Sequence, residues 1–264
     1  MLARPPITLN VAQRGDALGL LRSLPDACTP LVIFDPQHRA IMDKKKYGNE
    51  GARQRERAKL PAVLESYIDA CCLEIARILK PSGYLMRWMD KYCLCQGHHL
   101  RISPELIEPV DLFAWDNLRL GQGDRGRNRG DYLLVLQKPP KKAKATWRDY
   151  GIPCRWVEKI DLKRYPRKLY PHTKPIGLIT RLIGATTLPG DVVIDPAAGS
   201  YHGDGTPPTS SGAISSGVTS QSRLPGNGCL LSLPGAESRT APPHCRRLLL
   251  FRQGPSSEIA DLSQ

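Results

Sequence analysis

Residues 29–39 read "TPLVIFDPQHR": four apolar residues, Leu31, Val32, Ile33 and Phe34, run without a break into Asp35-Pro36. A short apolar run bounded by turn residues marks a strand covered on both faces, as in a parallel sheet. Its ending is unusual. Gly, Asn or Ser would be enough to turn the chain, yet here an acid, a proline and two nitrogen-bearing side chains, Gln37 and His38, follow the strand. In open α/β sheets the carboxyl ends of the strands are where ligands bind. Residues 191–200, "DVVIDPAAGS", repeat the pattern: an apolar strand leaves through Asp195-Pro196 into small residues and Gly199. A carboxylate there can hold an ammonium or hydroxyl group, and a glycine lets a ligand approach the backbone.

Between these two stretches strands alternate with helices. "ITLNV" (7–11) predicts a short strand. "GDALGLLRSLPDA" (15–27) predicts a helix with Leu18, Leu21 and Leu24 on one face, stopped by Pro25 and Asp26. Residues 38–58 are polar and charged and predict a loop. "LPAVLESYIDACCLEIARILKPSG" (60–83) carries apolar residues at 64, 68, 71, 72, 75, 78 and 79, a helical period that Lys80-Pro81-Ser82-Gly83 ends. "YLMRWM" (84–89), "DLFAWDN" (111–117) and "DYLLVLQK" (131–138) predict strands, with part of 92–108 helical and the glycine–arginine run "GQGDRGRNRG" (121–130) a loop. "KPIGLITRLIGATTLPGD" (174–191) predicts a helix opened by Pro175 and closed by Pro189-Gly190. Alternation of this kind predicts a doubly wound α/β fold with a mostly parallel sheet.

The chain has 264 residues and a net charge of +13, with no run of 18 apolar residues and no apolar leader in "MLARPPITLN". A membrane span and secretion are therefore not expected, and a cytoplasmic location is. None of the eight cysteines forms a CxxC pair, which predicts reduced thiols and no metal. Residues 201–264 contain five Arg, no Lys and four acids, so nearly all the positive charge lies before residue 201. Such a field suits a polyanion. Candidate phosphate contacts are Lys44, Lys45 and Arg53 in the first basic stretch, Arg125, Arg127 and Arg129 in the glycine–arginine loop, and Lys141, Lys142, Lys144 and Arg155 beyond it. In 138–170 these cations alternate with Trp147, Tyr150, Trp156, Tyr165 and Tyr170. Rings so placed either stack on bases or form a small aromatic core.

Taken in order, "GDALGLLRSLPDACTPLVIFDPQHR", the basic aromatic segment, "HTKPIGLITRLI" and "DVVIDPAAGS" resemble the β-class amino-methyltransferases of DNA, over about residues 9–200. The resemblance implies a Rossmann-like sheet and S-adenosylmethionine as cofactor. It also implies methyl transfer to an exocyclic amine in double-stranded DNA, adenine N6 ahead of cytosine N4, as in restriction–modification. "DPQH" stands where the family has Asp-Pro-Pro-aromatic, so Asp35 and the Pro36 carbonyl would accept hydrogen bonds from the amine of a flipped base. His38 would stack less strongly than a tyrosine, and Gln37 could add an amide contact. Asp16 and Ala17 would sit near the cofactor's adenine. Lys174-Pro175 would open the helix walling the pocket, and Asp195, Pro196, Ala198, Gly199 and Ser200 would line its methionine part. The implied organisation is a catalytic half (1–137), a target-recognition segment (138–171), a cofactor helix and strand (172–200) and a tail (201–264). The oligomeric state stays open, a dimer included.

The tail breaks the pattern. It holds 11 Ser, 8 Gly and 7 Pro, and no strand–helix alternation can be read in it. The family has there a helix and a strand ending in an acid for the cofactor ribose. Regrouping the codons of 207–221 by one base, with third bases free, admits "AAHQLGRHFIGCDLA", the missing helix–strand–acid order. The expectation is a frameshifted or truncated end, disordered, leaving the sheet incomplete and activity impaired. An inactive DNA-binding remnant and an RNA methyltransferase are the alternative readings.

Overall fold

The strand 29–34 lies at the middle of the molecule. A computed structural model describes residues 12–36, 63–121, 125–161, 163, 173–198 and 247–253. Its strands are β1 (Ala12–Gly15), β2 (Thr29–Phe34), β3 (Leu79–Met89), β4 (Glu108–Asp116), β5 (Gly130–Gln137), β6 (Arg155–Val157), β7 (Val192–Asp195) and β8 (Arg247–Gln253). They form one sheet in the order β1-β8-β7-β2-β3-β5-β4-β6. The pairings from β1 through to β3 are parallel, β5 runs antiparallel between β3 and β4, and β6 is parallel to β4 at the edge.

The helices are α1 (Ala17–Ser23), α2 (Glu65–Ile78), α3 (Lys91–Cys95), α4 (Ala143–Thr146) and α5 (Ile176–Thr186), with a 3-10 turn at His98–Leu100. Alternation along β3 separates two cores. Leu85 and Met89 face Leu21 of α1 and Ile68, Cys72 and Ile75 of α2. Tyr84, Met86 and Trp88 face Phe113, Trp115 and the α5 residues Leu178, Ile179 and Leu182. Both faces of the central strands are therefore covered, which is why β2 and β7 read as continuous apolar runs. Arg77 joins the ends of α1 and α2, donating to the Leu21 and Leu24 carbonyls at 2.8 and 2.9 Å and to Asp26 at 2.5 Å.

The chain leaves β2 for β3 through α2 on one face, and enters β7 on the other side of β2 through α5 on the opposite face. β2 and β7 thus flank the point where the winding reverses, the crevice that α/β sheets use for ligands.

Three expectations change. The strand after the N-terminus is at 12–15, whereas residues 7–11 lie outside the described residues. β3 takes in Leu79–Gly83, because Gly83 packs where a Cβ would come within 2.9 Å of the Pro30 carbonyl, letting the chain pass from α2 straight into the ladder. The sheet is also not open at its C-terminal side. β8 pairs with β7 and β1 at once, Leu250 lying opposite both Asp195 and Ala12. Two facing strand edges leave unmet backbone groups that an apolar run such as Leu248-Leu249-Leu250-Phe251 satisfies, whatever the composition around it. The rest of 201–264 lies outside the described residues, and no described helix is long and apolar enough to cross a membrane.

Candidate active site at the β2–β7 crevice

β2 and β7 run side by side in register, Leu31 opposite Val193 and Val32 opposite Ile194, so Asp35 and Asp195 leave the sheet at the same rim. Asp195 is fully buried. One carboxylate oxygen accepts from the Ala197 amide at 2.9 Å, and the other, Oδ2, is buried without a hydrogen-bond partner. Burial, with the charge of Asp35 adding to it, pushes the Asp195 carboxyl up to about 8. The two acids therefore feel each other across one cleft.

Lys174 closes the arrangement. It stands just before α5, whose N-cap is Pro175, and its ammonium lies 3.3 Å from Asp35 Oδ1 and 3.1 Å from Asp131 Oδ2. The Trp88 ring is 4.8 Å away, an added cation–π contact. Burial works to pull the lysine down, and the two carboxylates outweigh it, so the ammonium is held charged well above its ordinary range. The lysine read from the sequence as a wall of the cofactor pocket thus lies on the candidate catalytic acid.

Asp131 and Trp88 escaped the sequence reading. Because β5 runs antiparallel to β3, with Met89 opposite Tyr132, the start of β5 reaches the carboxyl end of β3 and the catalytic rim. The acid in "GDYLLVL" was the available signal, but only the strand direction gives it meaning. Glu158 was missed as well. Its carboxylate accepts from the Gly177 and Leu178 amides at 3.0 and 3.3 Å, capping α5, and from the Trp156 indole at 2.6 Å. The negative charge suits the helix start.

The remaining candidates separate. Pro36 and Pro196 are buried at the two strand ends, and Ala198 packs into the α5-side core. Asp16 is the N-cap of α1, accepting from the Gly19 amide at 2.5 Å and from the Tyr67 hydroxyl. Ala17 is fully buried in the core beneath α1. Gln37, His38, Lys44, Lys45, Arg53, Gly199 and Ser200 lie outside the described residues.

Among the basic candidates several are spent inside the chain. Arg129 and Arg155 reach Asp116 at 2.8 and 3.6 Å, Lys141 reaches Glu108 at 2.6 Å, and Arg127 donates to the Gly121 carbonyl at 2.6 Å. Arg125 is exposed in the same loop and also has a contact within the protein, while Lys142 and Lys144 are exposed on α4. The two indoles of residues 138–161, Trp147 and Trp156, pack against the core. Trp147 stacks on Phe113 at 6.3 Å and meets Tyr84 edge-on at 5.5 Å, while Trp156 packs against the α5-side cluster. Large rings beside an edge strand gain more from burial than from water. Tyr150, 70% exposed, is the described ring left for a partner.

The chain is 41% identical over 196 residues to the type II methyltransferase M.HhaII of Haemophilus parahaemolyticus, covering 73% of this chain and 83% of that protein. Among solved structures it is similar to the PvuII DNA methyltransferase (cytosine-N4-specific), at 18% identity, 71% and 74% coverage and a TM-score of 0.48. A second similar structure is the M1.HpyAVI–S-adenosylmethionine complex, at 15% identity, 72% and 82% coverage and a TM-score of 0.46. No family model matches. A mostly parallel α/β sheet with two aspartates at its reversal point, joined to a relative this close, places the chain among the type II DNA methyltransferases.

Proposed function

We propose that the chain transfers a methyl group from S-adenosylmethionine to an exocyclic amine of a base in double-stranded DNA, adenine N6 ahead of cytosine N4. The observation that carries this reading is the shared rim of Asp35 and Asp195 at the β2–β7 crevice. The residues fit the cofactor: the buried, unpartnered Oδ2 of Asp195 suits an ammonium such as that of its methionine part. Bound there, the cofactor supplies an electrophilic methyl on a sulfonium.

The chain's own residues then position the amine. Asp35 and the Pro36 carbonyl accept its hydrogens and turn the nitrogen lone pair toward the donor. Lys174 occupies Oδ1 of Asp35, leaving Oδ2 for the base. No general base of raised pKa is needed, since orientation and proximity lower the barrier. Lys142 and Lys144 are exposed cations that would meet DNA phosphates, and Tyr150 is an exposed ring that would meet a base.

The test is labelled methyl transfer from S-adenosylmethionine to duplex DNA, RNA and nucleosides in parallel, with the methylated base identified by mass spectrometry. Label on duplex DNA alone supports the proposal, and label on RNA or nucleosides in its place overturns it.

A second reading, a DNA-binding remnant without activity, draws on β8. That strand occupies the position beside β7 where the resemblance requires a strand ending in the ribose-binding acid, and it ends at Gln253. A strand that ends in glutamine lacks the acid that the resemblance implies. Sequencing the gene across codons 195–264 tests the frameshift behind it: a coding strand unable to yield the helix–strand–acid frame ends that idea.

A further inference from the structure

Glu65 at the start of α2, Cys93 on α3 and His98 on the 3-10 turn each present a ligand atom to the other two, all within 4.8 Å of one another. The three lie together on the α2 side of the sheet, where the chain passes beyond the carboxyl end of β3.

His98 Nδ1 comes 2.9 Å from Glu65 Oε2. A ring nitrogen and a carboxylate oxygen that close need positive charge between their lone pairs. Arg101 supplies little of it: its guanidinium is anchored on Asp69 at 2.9 Å and stands 3.8 Å from Glu65 Oε2. A proton or a cation between them would serve the pair, and the buried Cys93 thiol, which also meets Asp90, brings a third donor within 4.8 Å of both. Three donors of different kind, sulfur, nitrogen and oxygen, converging from three segments are what a borderline divalent ion requires. Ligand atoms around zinc stand about 3–4 Å apart, so small side-chain rotations would complete the set, with water in a fourth position.

We propose that Glu65, Cys93 and His98 form a zinc-class divalent cation site. Its role is structural. The ion ties the beginning of α2 to α3 and the 3-10 turn, and so braces the chain that follows β3 at the catalytic rim. The spacing Cys93-x-Cys95 is too tight for a zinc pair; in the structure Cys95 is exposed and the second and third donors come from Glu65 and His98.

The test titrates the metal-stripped full-length protein with cobalt(II). The expected result is one equivalent bound, with the visible absorption of a tetrahedral ion and a thiolate-to-cobalt charge-transfer band, both lost on adding zinc. Cys93→Ser abolishes the charge-transfer band, His98→Ala weakens binding at least tenfold, and Cys95→Ser changes neither. The wild-type spectrum needs no variant to fold. Absence of a thiolate band at equimolar cobalt, or a band that survives in folded Cys93→Ser protein, overturns the proposal and leaves a protonated His98–Glu65 pair.

Discussion

Lys174 Nζ lies 3.3 Å from Asp35 Oδ1 and spans to Asp131, so the candidate catalytic acid is held by a buried ammonium from the segment opening α5. The lysine belongs to "HTKP", the acid to "FDPQH" and the second acid to "GDYLL", three segments that meet only in the folded sheet.

Breaking this triad leaves buried charge uncompensated. Lys174→Met is expected to lower stability by about 3–5 kcal/mol, the usual cost of removing one partner of a buried pair. Asp131→Asn is expected to cost less, since Asp35 still faces the ammonium. Urea denaturation midpoints of the two variants measure the difference. Equal losses would mean that Lys174 is not shared.

The α5 cap makes a separate prediction. Glu158 holds the Gly177 and Leu178 amides and the Trp156 indole. Glu158→Ala should destabilise by about 1 kcal/mol through the lost helix cap, more if the indole is left unpaired. Indole fluorescence during unfolding would record it.

Asp195 gives the chain a stability that depends on pH. Its carboxyl is raised to about 8 in the fold, against about 4 in the unfolded chain. Between those values the native state binds the extra proton, so stability falls as pH rises from about 4 to about 8, by at most about 1.4 kcal/mol per unit from this group, and levels above it. Lys174, also raised, loses its contribution only at alkaline pH above this window. Asp195→Asn should flatten the slope between pH 5 and pH 8, in thermal unfolding of the cofactor-free protein. An unchanged slope would mean that Asp195 is ionised in the fold.

Binding to DNA separates the basic residues. Lys142→Gln and Lys144→Gln should each lower the slope of log affinity against log salt by about 1 if each meets a phosphate. Arg129→Gln should move the slope less and stability more, because Arg129 is held by Asp116. Fluorescence anisotropy across a salt series distinguishes them.

The two Asp-Pro strand ends were legible because strands buried on both faces must be apolar throughout, and a charged exit then stands out. α2 was legible from its period, and α5 from Pro175 at its start and Pro189-Gly190 after its end. What was hidden depended on partners distant in sequence. The direction of β5 decides that Asp131 reaches the rim, and only the packing of Phe113 and Tyr84 shows Trp147 to be core. β8 was hidden because its seven residues follow a long Ser-, Gly- and Pro-rich stretch, and its place is set by the vacant edges of β7 and β1 rather than by its own pattern.

In the proposed reaction Asp35 acts on the base while Asp195, across the same crevice, serves the cofactor. The most direct measurement is labelled methyl transfer to duplex DNA by Asp35→Ala, paired with calorimetric binding of S-adenosylmethionine to the same protein. Cofactor affinity is expected to stay within about threefold of wild type while transfer falls at least about 100-fold, as loss of an orienting group requires. An Asp35→Ala protein that methylates DNA at close to the wild-type rate would contradict it.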